Sequence, residues 1–243
     1  MQIDLKAWKA QLAELFRGIA QLIYPNTCAV CHEGLVPGEE VLCSSCLYNL
    51  PRTRAWLTTD NMVARQFWGR IPIELACSLF HFAKGSRYQH LLHLLKYAGR
   101  RDIGLYLGQQ LGTELAQIAD YSNISAIVPV PLHPKKQQIR GYNQSQAIAE
   151  GIALRTGWHI EPNVLIRQRF TQTQTHKNRD ERMLNVANAF AIQQGEKLRG
   201  QHVLLVDDVI TTGATLEQCA QTLLNSCQNI RISIASLAYS SGI

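Results

Sequence analysis

The chain has 243 residues, room for one full domain and a small appendage at roughly 100 to 200 residues per domain. Its 46% hydrophobic, 17% charged and 7% aromatic residues are ordinary globular composition, which excludes collagen, mucin-like repeats and wholesale disorder. The formal charge of +6 is uneven: residues 84–182 hold 14 Lys/Arg against 7 Asp/Glu, so the middle of the chain either faces a polyanion or forms a solvated basic surface.

In chain order, Leu5, Trp8, Leu12, Leu15, Phe16, Ile19, Leu22 and Ile23 recur at helical spacing, which predicts an amphipathic helix over 3–24 that Pro25 and Asn26 close. Asp4, Lys6, Lys9, Glu14 and Arg17 interrupt its apolar face, and no apolar run approaches the roughly 18 residues of a bilayer span. The expectation is no signal peptide, no membrane insertion and a helix that packs on its own protein. Residues 1–26 are therefore taken as an N-terminal helix, 27–51 as a cysteine-rich module, 52–72 as a connecting arm and 73–243 as the main domain.

In the main domain, strand candidates are Leu75 to Phe82, Ala126 to Val130, Val164 to Arg167, Ala189 to Ile192, Val203 to Val206 and Ile232 to Leu237. Helical patterns fall between them at roughly 87–97, 102–118, 143–156 and 215–227. This alternation with short gaps is the signature of an α/β fold with a central, mainly parallel sheet. Residues 168–185 are polar and aperiodic, the composition of a lid.

Cys28, Cys31, Cys43 and Cys46 read C-x2-C-x11-C-x2-C, a spacing that lets a short loop present four thiolates to one tetrahedral ion. Zinc is the first choice and a rubredoxin-like iron site the second. A complete ligand set leaves no open position, so the metal would be structural, stapling a segment too poor in apolar residues to hold itself. Cys77, Cys219 and Cys227 lie on apolar faces and read as inert buried thiols. Seven cysteines without a signal sequence suit a reducing compartment, here the cytoplasm.

The sharpest motif is Val203-Leu-Leu-Val-Asp207-Asp208-Val-Ile-Thr211-Thr212-Gly213-Ala214-Thr215 before a helix. A buried strand ends in two carboxylates, and the turn after it offers hydroxyls and backbone N–H groups at a helix N-terminus, where an anion is favoured. Gly213 lets the backbone approach a phosphate with no side chain between. A phosphate grip beside two acceptors for sugar hydroxyls points to a sugar phosphate. Neither G-x-G-x-x-G nor a Gly-Lys-Ser/Thr loop is present.

These thirteen positions resemble the 5-phosphoribosyl-1-pyrophosphate (PRPP) motif of type I phosphoribosyltransferases. The ordered set of a cysteine knuckle, Leu94-Leu-Lys96-Tyr97-Ala-Gly99, Val128-Pro-Val-Pro-Leu-His133-Pro, Arg140-Gly-Tyr-Asn143-Gln144-Ser145, Arg182-Met-Leu-Asn185-Val and the Asp-Asp loop resembles the competence protein F (ComF) family over nearly the whole chain. The resemblance implies a type I phosphoribosyltransferase-like fold with a small N-terminal zinc-binding module of four cysteines, and an association with DNA uptake and natural transformation. By it, Asp207 and Asp208 contact the ribose hydroxyls, and Thr211, Thr212, Gly213, Ala214 and Thr215 bind the 5-phosphate. The segment Val130 to Pro134 leaves a strand end as a pyrophosphate loop does, with Lys135, Lys136 and Arg140 close behind and Lys96 able to reach the same anion. Mg2+ would accompany PRPP.

Thr173, Gln174, His176, Lys177, Arg179 and Arg182 would supply the polar contacts and hinge of the lid, with His176 either a general base or a surface histidine. No acceptor pocket is legible, so two classes stay open. One is an Mg2+-dependent phosphoribosyltransferase with an unknown acceptor. The other is a binding component of the uptake machinery that grips single-stranded DNA through Arg100, Arg101, Lys135 and Lys136 and meets other uptake proteins. The knuckle as a DNA reader is disfavoured by Glu33, Glu39 and Glu40.

Overall fold

The computed structural model describes residues 26–167 and 189–240. The helix expected over 3–24 and the lid expected over 168–185 lie outside them. The chain divides after Leu50 into two compact units.

The first unit is a knuckle. A backbone bridge joins Thr27 to Gly34, and the N–H groups of Cys28, Ala29 and Leu35 donate to the carbonyls of Glu33, Val41 and Asn26. Helix α1, Ser44–Tyr48, starts on Cys43, whose Sγ accepts from the N–H of Cys46. His32 takes the left-handed backbone region, φ 64°, which turns the chain directly after Cys31.

The second unit begins with the segment read as an arm, and it is folded. The N–H of Thr53 donates to the carbonyl of Leu79 and that of His81 to Pro51, while Trp56, Val63, Phe67 and Ile71 are buried. Asn61 organises the segment. Its Oδ1 accepts from the N–H groups of Val63 and Ala64, capping the short helix α2, Met62–Arg65, and its Nδ2 donates to the carbonyls of Ala55, Thr58 and Ala76.

Five strands, β1 (Ala76–His81), β2 (Ala126–Pro129), β3 (His159–Ile160), β6 (His202–Ile210) and β7 (Arg231–Tyr239), form one parallel sheet in the order β1-β7-β6-β2-β3. β6 and β7 are buried almost end to end, as strands covered on both faces must be. The other two, β4 (Leu165–Arg167) and β5 (Phe190–Ile192), pair antiparallel in a separate ribbon that sets Arg167 opposite Phe190.

Between the strands run α3 (Gln89–Tyr97), α4 (Arg101–Leu115), α5 (Pro134–Arg140), α6 (Gln144–Thr156) and α7 (Ala214–Ser226). The crossovers β1 to β2 and β2 to β3 travel the same way across the sheet and β6 to β7 travels the other way. Right-handed crossovers therefore put α4 and α6 on one face and α7 on the opposite one. α4 and α6 meet closely because glycines line the contact: a Cβ on Gly151 would lie 2.2 Å from the Leu105 carbonyl oxygen, and one on Gly108 2.4 Å from that of Ile148.

Candidate functional site

The sheet reverses its direction of travel between β6 and β2. β2 leads away to β3 and β6 leads away to β7, so the chains part beyond the carboxyl ends of these neighbours and leave a crevice. The sequence places the two carboxylates after the end of their strand, but the ladder runs further. Val209 and Ile210 still pair with Ala238 and Tyr239 of β7, whereas β2 stops at Pro129 opposite Val206. Asp207 and Asp208 are thus held by a strand on one side and face the crevice on the other.

Successive strand residues point to opposite sides, and the two carboxylates have different partners. Oδ1 of Asp207 accepts the hydroxyl of Ser145 at 3.0 Å and the N–H of Asp208 at 2.8 Å. Burial, reinforced by the neighbouring Asp208 charge, pushes the Asp207 carboxyl up to about 7 against the pull of these donors and of Lys96. Oδ2 of Asp208 lies 3.1 Å from Nζ of Lys96.

The loop after β6 reaches α7 through Gly213, in the left-handed region at φ 73°. Gly213 at the N-cap has no side chain to cap the helix, and of the first-turn N–H groups that of Ala214 meets the Thr212 hydroxyl at a long 3.4 Å, so this end can still receive an anion. A small cleft of about 40 Å³ lies between Asp207, Val209 and residues 211–216. The loop is braced from behind by residues that no motif marks. Gln66 donates through Nε2 to the Thr211 carbonyl, Arg70 donates to the Thr212 carbonyl at 3.0 Å and pairs with Glu217, and a Cβ on Gly213 would lie 2.8 Å from the Phe67 ring.

A larger cleft of about 400 Å³ opens beside the carboxylates. One face of α3 lines it, with Gln89, Leu92, His93, Lys96 and Tyr97 at helical spacing, together with Phe82, Asp208 and Thr215. The last turn of α3 is tied to the segment after α5: the Tyr142 hydroxyl donates to the Leu95 carbonyl, and the Arg140 guanidinium lies 5.5 Å from the Tyr97 ring centroid. Two stretches quoted separately in the sequence therefore form one wall. Arg140 also donates to Oε1 of Gln144 at 2.8 Å, and Asn143 caps α6 while holding the Val130 carbonyl.

The segment after β2 holds more structure than a loop. His133 caps α5, whose residues Lys135 and Lys136 are exposed, and no described contact ties Lys136 to the crevice. Arg100 and Arg101 are already engaged, by Asp102 at 2.7 Å and by Glu150. Thus Lys96, Asp207, Asp208 and residues 211–215 are gathered around one crevice, Arg140 adjoins its wall through Tyr97, and Lys136 stands apart from that set.

In the first unit, the Sγ atoms of Cys28, Cys31, Cys43 and Cys46 all lie within 4.8 Å of one another, and those of Cys31 and Cys43 are 3.7 Å apart. Four thiolates about 2.3 Å from a tetrahedral zinc ion stand about 3.8 Å from each other, so the donor set fits that ion. The Cys43 N–H lies 3.4 Å from Sγ of Cys28. Burial raises the Cys28 thiol, but backbone N–H groups of Cys31, Cys43 and Val30 outweigh it and bring it down to about 7.

The phosphoribosyl transferase domain model matches residues 164–241, which include the Asp207–Thr215 segment. The DNA utilization protein YhgH of Salmonella typhi is 33% identical over 139 residues, 56% of this chain and 60% of that protein. YhgH of Escherichia coli K12 is 28% identical over 204 residues, 82% of this chain and 84% of its own length. Competence protein F of Haemophilus influenzae is 36% identical over 102 residues, 40% of this chain and 43% of that protein. The chain is thus similar to competence protein F and the YhgH proteins, and its C-terminal part matches a phosphoribosyl transferase domain. Its fold is the type I phosphoribosyltransferase-like one, with the four-cysteine cluster ahead of the matched domain. The match spans 60% of the length of the Salmonella relative. Among the described residues, no helix is long and apolar enough to cross a membrane.

Proposed function

We propose that this protein binds PRPP in the crevice between β2 and β6 and transfers its phosphoribosyl group to an acceptor yet to be identified, in the service of DNA uptake. The observation that carries this reading is the meeting of a glycine-led helix N-terminus with a carboxylate pair at the switch point of a parallel sheet. The loop from Thr211 to Thr215 binds the 5-phosphate. Asp207 and Asp208 accept hydrogen bonds from the two ribose hydroxyls, and Lys96 and Arg140 face the pyrophosphate. Cleavage at the anomeric carbon passes through oxocarbenium character, so the protein acts by holding the two charged ends of the ligand apart and in line. Mg2+, brought on the phosphate oxygens, would neutralise charge on the leaving pyrophosphate. Zinc in the four-cysteine cluster is structural, and the reduced thiols suit a cytoplasmic protein.

A second reading, single-stranded DNA binding, is favoured by the names of the relatives and by the exposed Lys135 and Lys136 of α5. It receives less from Arg100 and Arg101, which face carboxylates. Thermal shifts with PRPP, ribose 5-phosphate and pyrophosphate, and a salt titration with an oligonucleotide, separate the two. The first reading requires PRPP to stabilise more than either fragment. The second requires an affinity that falls steeply with salt and with Lys135→Ala/Lys136→Ala.

A further inference from the structure

Lys96 ends its helix on a pinned turn. The hydroxyl of Tyr142 holds the carbonyl of Leu95, and the guanidinium of Arg140 lies over Tyr97, so both neighbours of the lysine are fixed. Its Nζ lies 3.1 Å from Asp208, and the pair is shielded, with side chains 25% and 13% exposed. Mg2+ and Mn2+ take oxygen donors, carboxylates first among them. In this crevice Oδ1 of Asp207 already accepts the Ser145 hydroxyl and the Asp208 N–H, and Asp208 already meets an ammonium. A divalent cation on Asp208 would stand at contact distance from a second positive charge in a site partly withdrawn from water. The residues as folded do not fit a standing divalent cation.

We propose that Lys96 is the resident counter-ion of the Asp207–Asp208 pair. It takes the electrostatic place of a divalent cation in the free protein, keeps the crevice from holding one, and turns to the anionic end of the ligand on binding. Only the last step rests on the sugar-phosphate reading. A consequence is that any cation arrives with the ligand's phosphate oxygens and leaves with them.

The test is Mn2+ titrated into the zinc-loaded full chain, followed by calorimetry and by the paramagnetic resonance signal of free Mn2+. The wild type is expected to show no saturable site below millimolar. Lys96→Met, which keeps the apolar stem, gains one site about tenfold tighter or better, and adding Asp208→Asn removes it. Lys96→Arg, which keeps the charge, behaves as the wild type and guards against a folding artefact, as do melting curves of each variant. A Lys96→Met protein with no new Asp208-dependent site overturns the proposal, and so does a wild type that already binds Mn2+ through Asp208. Absence of PRPP binding with this Mn2+ pattern intact overturns the sugar-phosphate reading and not the counter-ion.

Discussion

The hydroxyl of Ser145, in the first turn of α6, lies 3.0 Å from Oδ1 of Asp207 in β6. This contact closes the crevice at its base, because it joins the helix after β2 to the strand that leads into the Thr211–Thr215 loop. Ser145 is 4% exposed, so its removal leaves a buried carboxyl oxygen with one donor fewer. Ser145→Ala is expected to lower the unfolding free energy by about 1–2 kcal/mol in urea titrations. It should also weaken PRPP several-fold by loosening Asp207.

Asp207 makes stability depend on pH in a stated direction. An unfolded aspartate titrates near 4, and burial with the Asp208 charge raises the folded group to about 7. Between those values the folded protein holds the extra proton, so this group's contribution to stability falls as pH rises from about 4 to about 7 and is level beyond. Asp207→Asn removes the buried charge. It should melt about 3 °C or more above the wild type at pH 8, with the gain gone at pH 5. An equal gain at both values would contradict the assignment.

The glycine contact between α4 and α6 gives a graded prediction. Alanine normally gains about 1 kcal/mol over glycine inside a helix. At Gly151 the new Cβ would press a carbonyl oxygen at 2.2 Å and backbone cannot yield cheaply, so Gly151→Ala should cost about 3 kcal/mol. At Gly104 the nearest atoms are Cδ1 of Leu95 at 3.0 Å, a side-chain end that can move, and Cβ of Ala147 at 3.1 Å, which needs a shift of only a few tenths of an ångström, so no backbone atom is pressed. Gly104→Ala should stay within about 1 kcal/mol of wild type by chemical denaturation.

The elements legible in the sequence are those whose residues are consecutive. The Asp207–Thr215 run needs no distant partner to be recognised, and the four cysteines are two close pairs. The bracing of the loop by Gln66, Phe67 and Arg70 was hidden, because Gln66 and Arg70 act on carbonyls 145 and 142 residues away and sit in a stretch that looks like a linker. α5 escaped for another reason: it is seven residues long and buries none of them, so it has no apolar period to read. β6 ran past its expected end because aspartates are poor strand formers locally, while the ladder to β7 overrides that preference. Ser145 was visible only as a letter in a motif, since its partner is 62 residues on.

Metal content tests the knuckle. The protein is expected to be colourless with one zinc per chain, which distinguishes zinc from a coloured four-thiolate iron site. Chelation should expose four thiols to a disulfide reagent, and Cys46→Ser should lower zinc retention in dialysis. Such sites supply on the order of 10 kcal/mol, so loss of the ion should unfold residues 26–50, seen as loss of amide exchange protection there.

The most direct test of the proposed PRPP site is calorimetric titration of PRPP with Mg2+ into the zinc-loaded protein, beside an Asp207→Asn/Asp208→Asn variant. The account predicts saturable binding to the wild type at a ratio of one per chain and its loss in the variant, with the variant still folded by its melting curve. Binding that persists unchanged in the variant, or no binding to the wild type by calorimetry and a second assay, would contradict it.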